Sequence, residues 1–126
     1  MSDYGPFSIA KMSFHDSSIE GILWEKDGEN LVFVLKWLPQ SGLGMPTGPT
    51  KAFLVFTFVT DLVLDVKFAE SMGYPSIYSS EFSILPKERW SVTMTFAGIP
   101  DGSILFECND MELFVGEARS IMENKV

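Results

Sequence analysis

The chain is poor in the residues that disulfide frameworks and most catalytic centres depend on. It holds one cysteine, Cys108, and one histidine, His15, among 126 residues. A disulfide framework needs cysteine pairs, so the sequence points to a reducing compartment. A zinc site built from histidines and cysteines is out of reach with one of each. Positive charge is also scarce: nine Lys and Arg against seventeen Asp and Glu leave a formal net charge of −8. Such a chain repels nucleic-acid phosphates and anionic membrane surfaces, and it suits a basic partner. The apolar runs Leu31–Leu35 and Ala52–Val59 fall well short of the ~20 residues of a membrane helix. The start, Met1-Ser2-Asp3-Tyr4-Gly5-Pro6, carries an acid and no apolar run, so no signal peptide is visible. These absences predict a soluble cytoplasmic protein with neither nucleic acid nor membrane as partner.

Apolar and aromatic residues are plentiful. With 46% hydrophobic residues and eleven Phe, disorder is disfavoured and a real core can be buried. Length and the absence of a linker or repeat predict one domain over 1–126. Residues 1–13 read as a turn or loosely docked lead-in around Gly5-Pro6. A β-hairpin follows. Asp27-Gly28 supports positive φ in a tight turn, pairing Trp24 with Leu31, Ile22 with Phe33 and Glu20 with Leu35. Alternation then gathers Ile22, Trp24, Leu31, Phe33 and Leu35 on one face, the expected core. The opposite face, with Leu23, Val32 and Val34, is partly apolar and should be partly covered.

Three Pro and three Gly in 38–50 exclude regular structure and make this the longest loop. From Lys51 to Phe68 the chain is β-prone, either one long strand bent near Thr60-Asp61 or two strands. Leu62, Leu64, Val66 and Phe68 are expected inward there, with Val63, Asp65 and Lys67 outward. Ile77–Leu85, Trp90–Phe96, Ile104–Cys108 and Met111–Val115 add further strands. Trp90, Val92, Met94 and Phe96 alternate with Ser91, Thr93 and Thr95. The tail, 117–126, reads as a short helix or a frayed end. No earlier segment sustains a 3.6-residue period. The fold class is therefore all-β: an antiparallel sandwich or rolled sheet of about eight strands.

Little in the chain carries recognisable chemistry. His15-Asp16 lacks the further histidines of a metal-dependent phosphohydrolase. No Asp-x-Asp-x-Asp-Gly loop offers a calcium site and no Gly-x-Ser-x-Gly elbow offers a serine nucleophile. Cys108 falls at an inward strand position beside Phe106, where cysteine is ordinarily a packed residue. No catalytic residue, metal or cofactor is assigned. The candidate binding residues are His15, Asp16 and Ser17, whose polar atoms also suit a strand start. Gly42, Gly44 and Gly48 join them. Their loop looks like a phosphate cradle but lacks the Lys-Ser/Thr and helix that complete one.

Phe14-His15-Asp16-Ser17, followed by Ile19-x-x-Ile22 and a hairpin ending Leu31-Val32-Phe33-Val34-Leu35, resembles the opening of small bacterial β-domains. These begin with an aromatic-His-Asp-Ser/Ala element, and some are assigned as immunity proteins of bacterial toxin systems. The likeness covers the first third of the chain. It implies a non-enzymatic protein that occludes a partner, such as a basic toxin domain. Two other readings stand beside it. One is a hydrolase or carboxylate–metal enzyme at His15-Asp16. The other is a structural homo-oligomer joined through the two-sided apolar strands.

Overall fold

Asp27 and Gly28 both take positive φ (57° and 90°), turning the chain back so that Glu25 pairs with Asn30. This closes the hairpin of β1 (Ser18–Glu25) and β2 (Asn30–Trp37) in the expected register as far as Gly21 opposite Val34. There the ladder slips. A bulge at Glu20 sets Ile19, not Glu20, opposite Leu35. Strict alternation would have sent Glu20 inward with Ile22; the extra residue leaves the carboxylate exposed and buries Ile19.

The computed structural model describes residues 2–25, 27–39, 48–66, 76–97 and 102–116. A short helix, α1 (Pro6–Ile9), precedes β1. After the hairpin come β3 (Thr50–Thr57), β4 (Thr60–Val66), β5 (Ser76–Leu85), β6 (Arg89–Ala97), β7 (Gly102–Cys108) and β8 (Asp110–Val115). The tail, read as a short helix or a frayed end, lies outside the described residues. The eight strands form one antiparallel sheet in the order β4-β7-β6-β5-β1-β2-β3-β8. The all-β antiparallel fold stands as read.

Two features roll this sheet. The first is a corner. Thr57 pairs with Asp110 and Thr60 with Glu107, so β3 runs into β4 while β7 runs into β8 without losing step. Phe58 (φ 50°) supplies the bend, and the Asn109 N–H donates to the Thr57 carbonyl at 2.8 Å. The stretch 50–66 is thus a bent ribbon strand, with a bulge between Thr60 and Val63. Bends of this kind let strands pass between packed sheets. The second feature is a seam. Within the described strands, β1 meets β5 through one pair, Ser18 with Ser76.

Between corner and seam, the half β4-β7-β6-β5 folds over the half β1-β2-β3-β8. Phe33, Phe56 and Phe106 meet across the gap with centroids 4.7–6.3 Å apart in edge-on contacts. Each is buried, as are Leu31, Leu35, Leu54, Val92, Met94, Ile104 and Leu113. Trp90 is also buried, as its alternation predicts. The lead-in is docked firmly. Tyr4 bridges Leu113, Ile9 and Phe14 are fully buried, and Tyr4 and Phe14 pack on Trp37.

Two expectations about the core fail. Trp24 and Ile22 share a face with Leu31 and Phe33 yet are 48% and 37% exposed. Alternation decides which way a side chain points, but burial also needs something opposite, and β1 lies at the seam. In β4, Leu62 and Leu64, expected inward, are exposed along with Val63, which is outward as expected. Among the described residues this edge strand has a neighbour on one side only, and the roll does not cover it. Lys67 and Phe68 lie outside the described residues. On the outer side of β2 and β3, Val32, Phe53 and Val55 are buried with Leu23, Val34 and Phe114 against them, the covered second face that the hairpin pattern predicts.

Candidate interaction surface

His15, Asp16 and Ser17 form a staple at the seam. Asp16 takes positive φ (69°), and its N–H donates to the Ile77 carbonyl at 2.9 Å. The Ser17 carbonyl accepts the Ile77 N–H at 2.7 Å, and the buried Ser17 Oγ accepts the Leu38 N–H at 3.0 Å. His15 Nδ1 donates to the Tyr78 carbonyl at 2.7 Å, and its ring meets the Tyr78 ring edge-on. An acceptor there requires the proton on Nδ1, which leaves Nε2, 3.5 Å from Asp16 Oδ1, as the second ring nitrogen. The triplet thus holds the start of β1 against β5 and anchors the chain leaving β2. No group of three or more His, Cys, Asp or Glu side chains with metal-binding placement occurs among the described residues.

Gly42 and Gly44 lie outside the described residues. Gly48 is exposed, with φ 77° and open space where a Cβ would stand, which suits a turn glycine before β3. Cys108 is fully buried on β7 beneath Trp90, its strand partner. Burial pushes its thiol up to about 12 against the opposing pull of Arg89. A buried thiol held protonated in this way is the ordinary state of a packed structural cysteine.

A surface that sequence reasoning missed lies on the outside of the β4-β7-β6-β5 half. Strand register lines up three rows across it. Ser83, Ser91, Glu107 and Thr60 make the first. Glu81, Thr93, Leu105 and Val63 make the second, and Ser79, Thr95, Ser103 and Asp65 the third. Hydroxyls and carboxylates dominate, and no lysine or arginine stands in these rows. Ser79 and Thr95 hydroxyls bond each other at 2.6 Å. Asp61, Ser91, Thr93, Leu105 and Glu107 line a shallow hollow of about 200 Å³ in this face. The signal was present in Ser91, Thr93 and Thr95, whose alternation marks a solvated face; only the register shows that two neighbouring strands continue it.

Arg89 is the cation nearest this face, and the corner engages it. Its guanidinium donates to Asn109 Oδ1, to Thr60 Oγ1 at 2.6 Å and to the Phe58 carbonyl at 3.4 Å. Its Nε lies 3.8 Å from Glu107 Oε1. One side chain therefore ties both bent strands, and its charge is met where it stands.

Around the corner from the polar face lies a cleft of about 310 Å³ lined by Pro6, Phe7, Ile84, Glu88, Trp90, Asn109 and Asp110. Phe7 meets the Trp90 ring edge-on at 5.4 Å. Lys87 and Glu88 both take left-handed backbone angles (φ 66° and 59°), strained positions for residues with a Cβ. Along β5 the cleft is at the Ile84 end and His15 at the Tyr78 end, roughly 20 Å apart at the usual strand rise. No helix among the described residues is long and apolar enough to cross a membrane. Comparison with protein-family models, curated proteins and solved structures finds no match to this chain.

Proposed function

We propose that this chain is a non-enzymatic cytoplasmic binding protein of the immunity type, which covers a basic surface of a partner protein such as a toxin domain. The observation that carries the reading is the outer face of β4-β7-β6-β5, with its hydroxyls and its carboxylates Asp65 and Glu81, while Glu107 at the corner end is paired with Arg89. The net charge of −8 extends the same field over the whole molecule. Opposite charge speeds encounter and selects partners, and aligned hydroxyls hydrogen-bond without long side chains to order. Inhibition on this reading is occlusion, with no chemistry asked of His15.

The test is capture of basic toxin domains encoded beside this gene, at low and at high salt. Charge reversal at Glu81→Lys and Asp65→Lys should weaken capture about tenfold or more, in line with like charges meeting across an interface. If no such domain is retained at low salt, or reversal changes nothing, the reading fails.

A second reading, self-association, is favoured by the exposed Leu62, Val63 and Leu64 on edge strand β4. Asp61, Asp65 and the bulge between Thr60 and Val63 oppose it, since charges and bulges are how natural edges resist strand addition. Monomeric elution over a wide concentration range removes it. The hydrolase reading at His15-Asp16 gains no support from a ring nitrogen already engaged by the Tyr78 carbonyl.

A further inference from the structure

We infer that the cleft between α1 and the β5–β6 turn receives an arginine side chain of the partner protein, its guanidinium held between Glu88 and Asp110 beside the Phe7–Trp90 ring pair. The inference rests on the protein-binding reading and names the contact that anchors it. Two observations meet here. The first is apolar: Phe7 is 65% and Ile84 61% exposed, on either side of the buried Trp90. Large apolar side chains grouped in a concavity mark a place that a ligand covers.

The second is charge. Glu88 and Asp110 line the cleft, and among the described residues no lysine or arginine does. An anion would be repelled, and a purely apolar group would desolvate carboxylates without replacing their water. Asp110 Oδ1 accepts the Met111 N–H at 2.8 Å, which fixes the carboxylate in place. Arg89 donates to Asn109, which itself lines the cleft, and its charge is met there and by Thr60 and Glu107 at the corner.

Arginine meets both demands at once. Its alkyl stem lies on Pro6 and Ile84, its flat cation stacks on aromatic rings, and its fork of donors bonds carboxylates in pairs. A volume of about 310 Å³ is at the small end for ligand pockets and fits one long side chain better than a folded peptide segment. Arg89 links the cleft to the hydroxyl face, since it donates to Asn109 of the cleft and its Nε lies 3.8 Å from Glu107 of the face.

The probe is a heptapeptide with one central arginine among glycines, titrated into the ¹⁵N-labelled full chain and followed at the Trp90 indole N–H and the Phe7 and Asp110 amides. The peptide with citrulline in place of arginine is the neutral control. Expected are saturable shifts confined to these groups, with a dissociation constant on the order of millimolar for so small a contact. Binding should weaken roughly fivefold or more with citrulline, in Phe7→Ala, and in the double variant Glu88→Gln/Asp110→Asn. Phe7 is exposed, and an unchanged melting temperature certifies that its variant is folded. Equal shifts from both peptides, shifts spread over the hydroxyl face, or none at tenfold higher concentration would overturn the inference. Peptide binding with capture unchanged in Glu81→Lys breaks the face alone. Capture without peptide binding breaks the cleft alone.

Discussion

The two halves of the rolled sheet share an inner face and differ in their outer one. Inside, Phe33 and Phe56 of one half meet Phe106 of the other, with no polar contact between them. Outside, β2 and β3 carry Val32, Phe53 and Val55, all buried, whereas β6 and β7 carry Ser91, Thr93 and Glu107 at matching positions of the pleat. The backbone is the same, with strands of similar length and antiparallel neighbours. What differs is what each half is free to do. An outer face with its own apolar cluster is committed to holding the fold. An outer face of hydroxyls and acids adds little to stability and is available for recognition. One outer face is thus needed for the fold and the other is not.

The contrast can be broken in steps, beginning with what the halves share. Phe106→Ala removes the ring that joins them and should cost about 3–5 kcal/mol, measured from the urea unfolding midpoint. A loss below about 1 kcal/mol would show that the halves fold independently. A reciprocal swap tests the outer faces. Val32→Thr places a hydroxyl in the covered cluster and should cost about 1–3 kcal/mol.

Arg89→Ala releases the corner where the halves are tied and should cost about 1–2 kcal/mol, because the bonds lost are charge-assisted but partly exposed. Arg89→Lys should recover less than half of this, since a lysine cannot bridge Asn109 and Thr60 together. The dryness of the shared interior can be read at Cys108. Its thiol is held at about 12, above the ordinary value of 9.0. Below about pH 9 both folded and unfolded chains keep the proton, and the thiol contributes no pH dependence. Above it only the unfolded chain ionises, so stability falls with rising pH by at most ~1.4 kcal/mol per unit until the folded thiol titrates. Cys108→Ala should lack this component, and thiol labelling of the wild type at pH 8 should require unfolding. The smallest effect completes the swap: Thr93→Val should change stability by less than about 0.5 kcal/mol. A large change there would mean that the hydroxyl face is structural after all.

The legibility of the sequence follows the same division. Trp90 to Phe96 reads clearly because one side of β6 is solvated and alternation is then visible. The hairpin register is readable because Asp27-Gly28 fixes its turn. The positions of Trp24, Leu62 and Leu64 were not legible. Their apolar character is plain, but whether anything stands opposite depends on how far the roll extends. The corner was partly visible, since Thr60-Asp61 marks a break, yet nothing local shows that β4 crosses to the far edge of the sheet. The candidate surface was hidden for a related reason. It is assembled from rows drawn from four strands, and the cleft draws on α1, the β5–β6 turn and β8. His15-Asp16-Ser17 stood out through rarity, and rarity here reflects a staple at the seam.

The corner also governs time. Thr57 finds Asp110 more than fifty residues along the chain, and Tyr4 meets Leu113 across more than a hundred. These contacts close large loops, whose entropic cost must be met before any packing energy is returned. Neither half is complete until residues 102–115 have arrived, because β7 belongs to one half and β8 to the other. Folding should therefore belong to the slow range of milliseconds to seconds typical of non-local β topologies. During that interval Leu62, Val63 and Leu64 stand beside an unpaired strand, and Asp61 and Asp65 on either side act as gatekeepers against association of the unfinished chain.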